Sequence, residues 1–112
     1  MLNTKKHFEI EADVHLFDPS KGRKSYIATG YRPHIYFGYS DLSALHSSDC
    51  IISLIHKQQL FPGENATVLI SVLKYSHLTN LLKKNVRIQI KEGARIIGEG
   101  KIVKRIGEME TC

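Results

Sequence analysis

Between His7 and Leu16 apolar and polar side chains alternate without a break: Phe8, Ile10, Ala12, Val14 and Leu16 fall on one side, and Glu9, Glu11, Asp13 and His15 on the other. Successive side chains of a strand point to opposite faces, whereas a helix repeats every ~3.6 residues, so this stretch predicts a half-buried strand. The same repeat of two recurs over Asn65–Lys74, where Val68, Ile70 and Val72 share a face. It recurs again where Val86, Ile88 and Ile90 alternate with Arg87, Gln89 and Lys91. A strand over His34–Ser40 and a buried one over the apolar run Cys50–Ile55 fit between them. Turn-forming residues punctuate the pattern at Asp18–Gly22, Pro62–Glu64 and Glu92–Ala94, and 41–48 reads as a polar, turn-rich connection. His77–Lys84 reads as one helical turn or a loop. Gly98 and Gly100 in the last strand predict a bulge or sharp bend, as at a barrel corner. Six or seven short strands with no linker or repeat between them predict one all-β domain over 1–112, a closed barrel or a sandwich.

A chain of 112 residues is long enough to bury one core without covalent staples. Its two cysteines, Cys50 in the apolar run and Cys112 at the end, form no disulfide framework and are expected to be free thiols. The first residues lack the apolar stretch of a secretory signal, and no run approaches the ~20 apolar residues of a membrane span. A reducing cytoplasm and no membrane partner are the expectation. The net charge of +5 is unevenly distributed: 83–105 carries eight Lys or Arg against Glu92 and Glu99, while 1–82 is nearly balanced. Concentrated positive charge attracts polyanions by neutralising phosphates and releasing counterions, and on an exposed strand it also serves solubility and protects edges.

Enzymatic chemistry is not visible in the pattern. No GxxxxGK[ST] loop occurs to cradle a nucleotide triphosphate. His7, His15, His34, His46, His56 and His77 are scattered without metal-ligand spacing. Cys50, near His46 and His56, opens an apolar strand and is expected to be an inert buried thiol. No carboxylate pair stands out as a general acid and base. The expectation is a non-enzymatic protein with no metal, cofactor or nucleotide.

Three motifs then stand in register: GYRPHIYF at 30–37, PGEN at 62–65 and KEGARIIGEGKI at 91–102. Together they resemble the C-terminal barrel domain of translation elongation factor Tu, whose pattern runs GYRPQFYF, PGDN and an REGGRTVGAG-type hairpin. The resemblance covers nearly the whole chain, from about Lys6 to Ile106. It implies a six-stranded closed Greek-key β-barrel, here as a separate single-domain protein without the GTPase domain. In the family this barrel contacts the T-stem of aminoacyl-tRNA through phosphates and 2′-hydroxyls. Carried over by position, the resemblance implies RNA contacts at His34, Ser43, Lys74, Lys91, Glu92 and Gly93, and the basic final hairpin adds Arg87 and Arg95. Arg32 and Pro33 are expected to be architectural, the guanidinium tying down loop carbonyls.

The departures are informative. Ala94 replaces the second glycine of the family's hairpin and would be strained at positive φ, and the segments before Pro62 and Glu92 are longer than the family pattern. Two functional expectations follow. The first is a non-catalytic module that binds tRNA or similar structured RNA. The second is a protein-interaction module, partnered by a translation-related or regulatory protein, that uses apolar residues near the PGEN turn such as Ile55, Leu60 and Phe61.

Overall fold

The computed structural model describes residues 5–38, 47–72 and 82–111. The alternation of the sequence becomes long strands: β1 (Lys5–Leu16), β3 (His34–Phe37), β4 (Ser47–Leu54), β6 (Asn65–Val72), β7 (Arg87–Glu92) and β8 (Arg95–Thr111). These six close into an antiparallel barrel in the order β1, β6, β4, β3, β7, β8, with β8 returning to β1. The hairpin-linked run β3, β4, β6 carries β1 beside β6 although a long connection separates β1 from β3, which is the Greek-key arrangement. Between barrel and sandwich, which periodicity leaves open, the chain adopts the barrel. Two short strands, β2 (Ile27–Ala28) and β5 (Gln59–Leu60), pair apart from it.

Inward residues fill the barrel as the alternation predicts: Phe8, Ile10, Ala12, Val14 and Leu16 from β1 are buried against Val68, Ile70, Val72, Ile35, Phe37, Ile88 and Ile90. Ile27 and Leu60 of the small sheet are buried in the same core. Leu60 is therefore a core residue and not part of an interaction surface, while Phe61 beside it is exposed. Two further points differ from the sequence reading. The turn-rich segment ends earlier than expected, because Ser47 and Ser48 already pair with Tyr36 and Ile35 in β4. β5 has too few residues to show a repeat, and only its pairing with β2 defines it.

Closure depends on β8, which pairs with both β7 and β1. Its register shifts three times, leaving Ile97, Val103 and Ile106 as extra residues opposite their partners, and such bulges bend a strand and increase its twist. Gly98 and Gly100 sit on the inward side at this bend. A Cβ at Gly98 would lie 2.7 Å from the His15 carbonyl oxygen, and one at Gly100 would overlap the Asp13 carbonyl oxygen. The bend predicted from these glycines is present, and its reason is the close approach of the β1 backbone. The expected strand end at Ser40, the His77–Leu81 part of the helical turn, and Cys112 lie outside the described residues. Among the described residues no helix is long and apolar enough to cross a membrane.

Candidate RNA-binding face

The outward residues of β3, β4 and β7 meet on one wall of the barrel. His34 lies opposite Lys91 on one side and Asp49 on the other, and Tyr36 lies opposite Gln89 and Ser47. The imidazole of His34 bonds on both edges, Nδ1 to Asp49 Oδ1 at 2.8 Å and Nε2 to Ser47 Oγ at 2.8 Å. Its ring meets Tyr36 edge-on at 5.7 Å, and the Lys91 ammonium stands 4.6 Å from the Tyr36 centroid. A cation held over an aromatic face is oriented without being neutralised by a carboxylate. Of the residues expected to contact RNA, His34 and Lys91 are thus direct neighbours. Arg87 is exposed on the same strand face as Lys91, directly opposite Lys101 of β8. Gln89 Oε1, between Arg87 and Lys91, is buried without a hydrogen-bond partner among the described residues.

The hairpin turn is engaged differently. Glu92 accepts hydrogen bonds from the Arg23 guanidinium and, at 2.6 Å, from the Tyr31 hydroxyl. Burial, followed by the adjacent Glu92 carboxylate, holds the Tyr31 hydroxyl well above the ordinary tyrosine range, so it stays a donor. Arg23 also donates to the Ser25 and Tyr26 carbonyls and stacks over Tyr31 at 5.1 Å. Arg95 donates to the Gly22 carbonyl at 3.3 Å. The loop-tying role expected of Arg32 thus falls to Arg23, while Arg32 is exposed. Gly93 has φ 61° and Ala94 is not in the left-handed region, so the two-residue turn is of the II′ kind that needs glycine only at its first position. Ala94 is accommodated without strain for that reason. Ser43 and Lys74 lie outside the described residues.

Charge on the adjoining β1–β8 wall is paired across the strands. Glu9, Glu11 and Asp13 project outward from β1, and β8 sets Lys101 opposite Asp13 and Lys104 opposite Glu11, the latter pair 3.9 Å apart. Thr67 donates to Asp13 at 2.6 Å, and His15 bonds Asn65 at 2.5 Å. An open groove of about 570 Å³ crosses this wall between Asn65, Asp13, Lys101 and Arg87. The cations of the final hairpin therefore divide: Lys101 and Lys104 of β8 stand opposite Asp13 and Glu11, whereas Lys91 of β7 stands opposite His34 and over Tyr36.

Sequence reasoning missed Tyr36, Ser47, Asp49, Arg23 and Tyr31 as members of these arrangements. Strand register brings the first three together, and register depends on a connection with no sequence signal of its own. Among the described residues no three His, Cys, Asp or Glu side chains converge as a metal site. Cys50 is a buried free thiol, and burial pushes its ionisation up. No protein-family model matches the chain.

Proposed function

We propose that this chain is an RNA-binding module, related to the C-terminal barrel of elongation factor Tu, that holds tRNA or a similarly structured RNA in the cytoplasm rather than transforming it. The observation that carries the reading is the row of His34, Tyr36, Lys91 and Arg87 on β3 and β7, where cations and aromatic rings stand together on rigid strands. Double-stranded RNA is held by phosphates and 2′-hydroxyls across its shallow groove, and an ammonium and a guanidinium on one strand suit the phosphates. The His34 ring, its two nitrogens taken by Asp49 and Ser47, shapes the wall beside them. The motif resemblance and the closed six-stranded barrel support it. Glu92 and Arg95 act in this reading as supports, keeping the β7–β8 turn fixed against the loop at 22–26.

Titration with tRNA at two salt concentrations tests it. With about three to five phosphate contacts, affinity falls by tens to hundreds of fold between about 50 and 200 mM salt. Absence of binding at the lower salt, or binding indifferent to salt, rejects the proposal. A second reading, a protein-binding module, is favoured by Tyr26 and Phe61, which are 42% and 47% exposed and lie 5.4 Å apart as a tilted aromatic pair. Exposed aromatic anchors typify protein interfaces. Capture of a protein partner that survives nuclease, and is lost in Phe61→Ala, would favour it over RNA.

A further inference from the structure

Antiparallel pairing of β3 with β4 sets Asp49, His34 and Ser47 in one hydrogen-bonded chain on the outer wall. An ionised carboxylate only accepts, so the Asp49 bond requires the proton on His34 Nδ1. Nε2 then presents its lone pair to Ser47 Oγ at 2.8 Å, and the serine hydroxyl donates. These are the atoms, order and distances by which a histidine activates a serine nucleophile, an arrangement recognised by geometry on unrelated folds. All three residues sit on paired strands, so their backbone spacing is fixed by the ladder and does not depend on a loop. Ser47 is 6% exposed and forms the floor, while the His34 side chain is 42% exposed above it. The Lys91 ammonium, held over Tyr36 opposite Ser47, places positive charge on the same wall, where an acyl transition state develops negative charge.

We propose that Ser47, His34 and Asp49 work as a nucleophile, base and orienting carboxylate, making Ser47 a site acylated by small activated esters and giving the protein a slow esterase activity beyond its binding role. Ser47 Oγ attacks the acyl carbon while its proton passes to His34 Nε2. The ester C–O bond breaks and His34 gives up the serine proton, to the departing alkoxide as it becomes an alcohol or, where a stable phenolate leaves, to solvent, so that Nε2 is again neutral. Water then gives a proton to His34 and attacks the acyl-serine, the carboxylic acid departs, and Ser47 regains its hydrogen. Reactant and product sides balance as ester plus water to acid plus alcohol. Asp49 is 65% exposed, so solvent weakens its hold on the imidazole and the rate is modest.

The test treats the intact protein with a fluorophosphonate probe and with p-nitrophenyl acetate, followed by whole-protein and peptide mass spectrometry and by p-nitrophenolate release. The probe reaction exchanges P–F for P–O and releases fluoride. A single adduct on the peptide carrying Ser47, with an initial burst of p-nitrophenolate, is expected. Ser47→Ala abolishes both, and His34→Gln slows labelling at least ~100-fold, as removal of a general base does. Asp49→Asn costs about tenfold, less than for a buried orienting carboxylate. Ser53→Ala, further along β4, labels at the wild-type rate. Absence of an adduct on the wild-type protein, an adduct on another residue, or undiminished labelling of folded His34→Gln overturns the proposal. The wild-type mapping stands even where a variant does not fold, and the outcome is independent of whether tRNA binds.

Discussion

Two seams of the same barrel handle charge in opposite ways. Where β1 meets β8, carboxylates of one strand face lysines of the other, as with Glu11 and Lys104, and glycines let the backbones come close. Where β3 meets β7, Lys91 stands opposite a histidine and over a tyrosine. The first seam satisfies itself and closes the barrel. The second keeps its cation turned toward whatever approaches. Net charge per segment cannot separate these cases, because the lysines of both seams belong to one hairpin; only the partner strand distinguishes them.

The comparison breaks most severely at Gly100. In Gly100→Ala the new methyl meets the Asp13 carbonyl, and the closing seam must open. Overpacking costs about 1–3 kcal/mol and more when backbone is in the way. Denaturant melts should show a loss at the upper end of that range or beyond. An unchanged midpoint would show that the seam is not tight.

A smaller loss is expected from Arg23→Ala, which leaves the loop at 22–26 tied to the β7–β8 turn by Arg95 and Gly22 and leaves the Tyr26 carbonyl and Glu92 without their guanidinium. Removing a charged donor from such partners costs about 1–3 kcal/mol. Its effect on RNA binding should be indirect and minor, since Glu92 is an internal support here. Charge reversal then separates the seams directly. Lys91→Glu should weaken tRNA binding about tenfold and reduce the salt slope by about one, while Lys104→Glu changes it less than about twofold. Equal effects would erase the distinction.

The least effect comes from pH. Burial, and then Glu92, hold the Tyr31 hydroxyl above its ordinary range, so its contribution is complete below the unfolded value of about 10 and is lost as pH rises through the higher folded value. Spectrophotometric titration near pH 11 should show one phenolate fewer in the folded protein than after unfolding, and the deficit should vanish in Tyr31→Phe. Full ionisation at that pH would mean that the Glu92 clamp is loose. At the acid end, Asp18 is held below its ordinary value of 3.8 by the Ser20 hydroxyl and amide. That turn's contribution is present above the unfolded value and disappears as pH falls through the lower folded one, readable in the Ser20 amide resonance.

The strands were legible wherever one face is buried and the other wet, because the barrel imposes a repeat of two: β1, β6 and β7 stand close to where alternation put them. Closure was legible less directly, in Gly98 and Gly100. The register of β3 against β4 was not, since the residues joining them carry no periodic signal, and the chain Asp49–His34–Ser47 was hidden with it. His34 and Lys91 could be named from motif position, but their adjacency, and Tyr36 beneath the ammonium, required the fold. Motif position makes Glu92 a ligand contact, whereas its engagement by Arg23 and Tyr31 arises from residues far apart in the chain that only tertiary structure joins.

The central claim is that RNA is held on the β3–β7 wall and not on the β1–β8 wall. Amide chemical-shift mapping during titration with a short RNA hairpin at low salt reads this residue by residue. The account predicts perturbations concentrated at 34–36 and 87–91, with 9–13 and 102–105 silent. Shifts centred on the acid-lined strand, or spread evenly around the barrel, would contradict it.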